Sequence, residues 1–274
     1  MRAAPPGLYK ANKFREQIRQ RDRQSEGRKE EARMRAYFVT DTGKSREENQ
    51  DYVLCEESAV GSLPNLFLVA DGMGGHRSGD YASRFCVETI RQIVEESHLP
   101  SAVMVLQEAI KIANTRLREE AEKDVRRKGM GTTMVAATLL GKSLYVANVG
   151  DSRLYLYSEG RLRQITEDHS LVEAMVRNGE LGRVEAKYHP NKNIITRALG
   201  GHPEVIADFF EVTVGEDDRI LMCTDGLSNM VEDEEMEELL RDYQDDPELA
   251  ARELVQRAND NGGRDNITVI MIKP

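Results

Sequence analysis

NLFLVADGMGGHRSGD, residues 65–80, runs from an apolar stretch, Leu66 to Ala70, into a bare carboxylate at Asp71 and then into glycines at 72, 74 and 75. A short apolar run rich in branched and aromatic residues predicts a buried strand. The glycines that follow are too permissive to hold a shape alone, so the acid at the strand's end needs a partner. The pattern recurs. Asp151 follows a strand signature in ANVGDSR, Asp225 follows one in LMCTDGLSN, and Asp265 precedes one in GGRDNITVIMI. Any single Asp-Gly pair is most simply a turn. Four aspartates at strand ends, two of them followed by glycine, point instead to a gathered site, with Gly72 and Gly226 letting the chain turn sharply and bring an oxygen or a substrate close.

Carboxylates gathered at contact distance raise one another's pKa unless positive charge sits among them. Few Lys or Arg lie near these motifs, and a hard divalent cation answers the need, since oxygen-only ligation suits Mg²⁺ or Mn²⁺. Zinc is a poor fit: the histidines, at 76, 98, 169, 189 and 202, show no pair at the ~3–5 spacing of zinc ligands, and no cysteine pair assists them. Arg46, in TDTGKSREENQD (40–51), offers the planar fork that matches phosphate oxygens. Alone it reads as a surface arginine.

Outward from residue 65, strand signatures recur at 36–41, 52–57, 132–141, 143–151, 153–160, 205–214, 219–225 and 266–273, several joined by hairpin-length turns such as LGKS (140–143) and SEGR (158–161). Residues 81–97, 101–124, 234–241 and 247–259 carry apolar side chains at helical spacing. Two long helices early, two late, and strands grouped between them predict an α+β fold of antiparallel sheets covered by helices, not alternating βαβ units.

The chain of 274 residues is long enough for one large domain with a real core. Residues 1–33 hold ten Lys/Arg against five Asp/Glu, a charge of +5, which leaves −15 of the whole chain's −10 to residues 34–274. A body that acidic disfavours nucleic acid, whose binding depends on cationic charge. The first 33 residues lack an apolar face and read as a polar, basic tail, disordered or loosely helical. No apolar stretch approaches the ~20 residues of a membrane span. Three scattered cysteines, Cys55, Cys86 and Cys223, read as reduced thiols of a cytoplasmic protein. None is followed by arginine six residues on, where Gly61, Gln92 and Asn229 stand, so a cysteine-nucleophile phosphatase is disfavoured. The GMGG run lacks the lysine and hydroxyl of a phosphate-cradling loop.

In the order DTGKSREENQD, VADGMGGHRSGDYAS, GMGTTMVAA, ANVGDSRLYLY, EDHSLVEAMVRNGE, HPNKNIITRALG, CTDGLSN and GGRDNIT, the chain resembles the bacterial branch of the metal-dependent type 2C (PPM) serine/threonine protein phosphatases from about Met34 to the C-terminus. The resemblance implies a four-layer αββα sandwich, two antiparallel sheets flanked by helices, with two Mn²⁺ or Mg²⁺ ions at one end and water activated there attacking phosphoserine or phosphothreonine directly. It implies that Asp71 bridges the ions with the Gly72 carbonyl on one of them, that Asp225 and Asp265 bind the other, and that Asp151 with Asp225 holds a weaker third. Asp51 is similar to the family's acid that holds water beside the metals, and Arg46 to its phosphate-binding arginine. Gln50 stands where many members have Glu, Asn229 replaces an Asp common at that point, and Met73 occupies the place of a histidine proposed as general acid in animal members. His76 either takes over that proton donation or hydrogen-bonds within its loop. Segment 166–200 resembles the flap that covers the site, an ordinary surface excursion being the plain alternative. The implied partners are phosphorylated proteins, the substrates of a serine/threonine kinase, met by a monomer. Two other functions share the motifs: hydrolysis of small phosphoesters, and a phosphatase-like sensor without turnover.

Overall fold

The computed structural model describes residues 34–75 and 78–274; the tail expected over 1–33, and His76, lie outside the described residues. One sheet has five strands, in the order β1 (Arg35–Asp41), β11 (Ile267–Lys273), β10 (Arg219–Cys223), β7 (Arg153–Ser158) and β8 (Arg161–Gln164). The other, six-stranded, runs β2 (Asp51–Glu56), β3 (Leu66–Met73), β5 (Met134–Leu140), β6 (Ser143–Val149) and β9 (Asp208–Thr213), with short β4 (Gly131–Thr132) added beside β3. All pairings are antiparallel.

The strands are apolar on both faces because each sheet is covered twice. On β3, Leu66, Leu68 and Ala70 pack with helices α1 (Ser78–Glu96) and α2 (Ala102–Lys123), while Phe67 and Val69 join the core between the sheets. On β11, Val269 and Met271 pack with α6 (Asp233–Asp242) and α7 (Pro247–Asp260), while Ile270 and Ile272 meet Phe67 and Val69 in the middle layer. Successive side chains point to opposite faces, so an unbroken apolar run is what a middle layer requires. The order helix, sheet, sheet, helix is the αββα sandwich. Ser101 caps α2 by accepting from the Met104 N–H, and Asp246, ahead of Pro247, caps α7 through the Leu249 N–H.

The structure departs from the sequence reading in several places. Asp71 does not end its strand: β3 continues to Met73, held there by β4 on one side and by Asp51, the register partner of Asp71, on the other. The run expected over 132–141 is broken at Thr133 into β4 and β5. Strand β8, which follows the SEGR turn, has no strand signature of its own, being four residues with two arginines. Segment 166–200 contains two helices, α3 (Leu171–Arg177), capped by Ser170, and α4 (Arg183–Tyr188); both are shorter than the window of about 11 residues in which helical periodicity shows. Short α5 (Asp225–Ser228) completes the order.

Candidate active site

The two sheets meet at one end around Asp51. It opens β2 in one sheet, and its Oδ2 accepts from Thr224 Oγ1 (2.9 Å), just past β10, and from Thr268 Oγ1 (2.7 Å), on β11 of the other. Thr40 then donates to Thr268 Oγ1 at 2.8 Å, and Asn49 Nδ2 to Thr40 Oγ1 at 2.8 Å. This chain of donors aims Asp51 and leaves its buried Oδ1 with no hydrogen-bond partner.

Asp71, across the ladder from Asp51, is the hub. Its carbonyl accepts from Thr132 Oγ1 (2.8 Å) and the Thr133 N–H (2.9 Å), and its own N–H donates to Thr133 Oγ1 (2.9 Å). Burial, and then the charges of Asp51, Asp225, Asp151 and Asp265, push its carboxyl well above the usual carboxylate range. Burial likewise raises Asp51, Asp151 and Asp225, each reinforced by neighbouring carboxylates. Asp225 opens α5, contacts the Asp71 carboxyl, and accepts from Asn229 Nδ2 at 2.8 Å. An aspartate at 229 would repel Asp225 where the amide donates to it. All five aspartates singled out in the sequence therefore belong to one electrostatic cluster.

The glycines work differently from the turn expected of them. Gly72 lies within β3, where a Cβ would stand 2.0 Å from the Gly79 carbonyl oxygen and 2.6 Å from that of Gln50. Its carbonyl lies against Gly79 in the first turn of α1. Gly226 likewise presses on Asn266, whose carbonyl oxygen would be 1.9 Å from a Cβ. Both allow close backbone approach within regular elements.

Arginine comes nearer than the sequence suggested. Arg46 Nη2 donates to Asp265 Oδ2 at 2.8 Å, and half-buried Arg153 favours the charged forms of Asp151 and Asp225 while pairing with Asp168 at 2.7 Å. The sequence reading missed Thr224, Thr268 and Asn266, whose Oδ1 accepts from the Gln50 N–H (2.8 Å) and whose Nδ2 donates to the carbonyls of Thr42 and Glu48 (2.9 Å each). A hydroxyl in an otherwise apolar strand, as in NITVIMI, is the one signal that could have found Thr268, because a buried polar group needs a partner.

A divalent cation suits this donor set. Every side-chain donor is a hard oxygen, and the buried Oδ1 atoms of Asp51, Asp151 and Asp225 lack partners; buried carboxylates in that state must be neutralised by protons or by cations. Among the described residues no three acidic, histidine or cysteine side chains are drawn tightly enough together to hold an ion as they stand, and Asp265 is engaged by Arg46. Asp151 and Asp225 also line a cleft of about 400 Å³ whose walls come mainly from segment 166–200, the turn after α5 and the turn before β11.

The protein phosphatase 2C family matches residues 35–267. A serine/threonine phosphatase, stp, from Listeria innocua serovar 6a is 41% identical over 244 residues, covering 88% of this chain and 96% of the relative. The crystal structure of serine/threonine phosphatase Stp1 from Staphylococcus aureus superposes with a TM-score of 0.79 at 35% identity, over 88% of this chain and 95% of that one. The catalytic domain of the phosphatase PstP in complex with 2 manganese ions gives a TM-score of 0.75 at 33% identity, over 88% and 97%. This chain belongs to the protein phosphatase 2C family of serine/threonine phosphatases. Among the described residues no helix is long and apolar enough to cross a membrane.

Proposed function

We propose that this protein hydrolyses phosphoserine and phosphothreonine in phosphoproteins, using two Mn²⁺ or Mg²⁺ ions held by Asp71, the Gly72 carbonyl, Asp225 and Asp265. The observation that carries this is the convergence of buried aspartates with unpartnered oxygens at one end of a type 2C fold. A relative of the same fold in complex with 2 manganese ions supports the choice of cation class. When bound, paired ions acidify water and neutralise phosphate oxygens.

The chain's own residues supply orientation. Thr224 and Thr268 fix Asp51 through Oδ2, so that Oδ1 is presented to accept a hydrogen bond from water. Arg46 stands beside Asp265 on a half-exposed side chain, where its fork is free to exchange that carboxylate for a phosphate dianion. Asp151 supports a weaker additional ion with Asp225, and Asn229, donating to Asp225, keeps that ion dispensable. His76 is a proton donor to the leaving oxygen or a loop hydrogen-bonding group. The thiols take no part: Cys86 and Cys223 are buried, and burial, with Glu57 and Glu56 beside it, pushes Cys55 up to about 12. Such thiols suit the reducing cytoplasm.

The test is phosphate release from a phosphothreonine peptide with Mn²⁺, with EDTA and a thiol alkylator as controls. Manganese-dependent release that EDTA abolishes and the alkylator leaves intact is expected; release that survives EDTA would overturn the metal mechanism.

A further inference from the structure

The cleft beside Asp151 and Asp225 has a charge pattern of its own. Three of its cations are already neutralised: Arg153 pairs with Asp168, Arg183 with Glu173, and Lys187 with Glu232. Two are not. Lys192, half-buried on the segment after α4, and Arg264, exposed on the turn before β11, line the same cleft, and neither has an ion-pair partner among the described residues. The guanidinium stem of Arg264 rests over the turn, its Nε 3.8 Å from where a Gly262 Cβ would stand. Against these two cations the cleft sets one carboxylate outside the aspartate cluster with no cationic partner, Asp233, which accepts from Tyr155 Oη at 3.3 Å.

A cation in a cleft with no counter-ion of its own is free to pair with an anionic ligand. The rest of the body is strongly acidic and would repel an acidic substrate. Two cations without partners in this cleft offer an acidic group a local pairing within that acidic surface. We infer that Lys192 and Arg264 form a subsite for an anionic side chain, a carboxylate or a second phosphate, next to the phosphoresidue of the substrate. The subsite rests on the phosphatase reading above and adds the substrate class: phosphopeptides with an acidic flank.

The experiment uses the full chain with Mn²⁺ and fluorescent phosphothreonine peptides. Glu, phosphoserine, Ala or Lys is placed in turn at each of the flanking positions on both sides. Phosphate release gives kcat and KM, and anisotropy of the same peptides gives binding. At one or more positions Glu is expected to raise kcat/KM roughly three- to tenfold over Lys, mainly through KM. The difference should collapse in the double variant Lys192→Gln/Arg264→Gln, whose folding is checked by circular dichroism, and return with Lys192→Arg/Arg264→Lys. Preference for phosphoserine above Glu assigns the subsite to a second phosphate, and equal or lower preference assigns it to a carboxylate. No preference for either anion over Lys at any position, or a preference that survives the double variant, overturns it. If no peptide is turned over, the phosphatase reading fails, and anisotropy then decides the subsite alone by the same comparison.

Discussion

Asp51 shows what a single residue does in this molecule. One oxygen is satisfied by two threonines from the opposite sheet, and the other is buried and bare. The hydroxyls hold the side chain in one orientation, so that its free lone pairs are delivered to the site. Removing one, by Thr268→Val, is expected to lower Mn²⁺ affinity or turnover roughly tenfold with the fold intact, the usual cost of losing an orienting partner; calorimetric titration and phosphate release check it. Asp71, pushed upward by burial and by four other carboxylates, is less forgiving. Asp71→Asn should reduce hydrolysis of p-nitrophenyl phosphate by about 100-fold or more and weaken manganese binding, with an unchanged circular dichroism spectrum. These aspartates were visible in the sequence because each sits against a strand or glycine signature. The threonines were not, because nothing local separates a hydroxyl that orients an acid from one that fills a strand. The Arg46–Asp265 contact joins residues 219 apart, and no pattern of one short segment encodes it.

At the scale of elements, burial decides what was legible. The double-faced apolar runs of β3 and β11 could be read directly, because sheets covered twice must be apolar throughout. The long amphipathic helices were equally plain, whereas α3, α4 and β8 were too short or too charged to show a period. The limit of β3 was misread because the Asp-Gly pair looks like a turn in sequence, while in the fold Gly72 is required by close contact with Gly79 and Gln50. The same contrast predicts unequal stability effects. Phe67, fully buried between the sheets, should cost about 3–5 kcal/mol on replacement by Ala. Ser101, which caps α2 through one hydrogen bond, should cost about 1 kcal/mol. Urea denaturation of Phe67→Ala and Ser101→Ala checks the ranking.

For the whole molecule, the sandwich brings carboxylates from both sheets to one end, and the family match spans residues 35–267 without the basic first 33. Deleting residues 1–33 is therefore expected to leave kcat/KM for a phosphothreonine peptide within about twofold; a large loss would make that tail part of the catalytic unit. Mutual repulsion among the gathered aspartates is relieved when protons or cations join them, and on the two-metal proposal that need links fold, site and reaction. The most direct measurement is anomalous diffraction at the manganese edge from crystals soaked in Mn²⁺. Two peaks against Asp71, Asp225 and Asp265 are predicted. An empty site in crystals of protein that still releases phosphate in the same buffer would contradict the two-metal account.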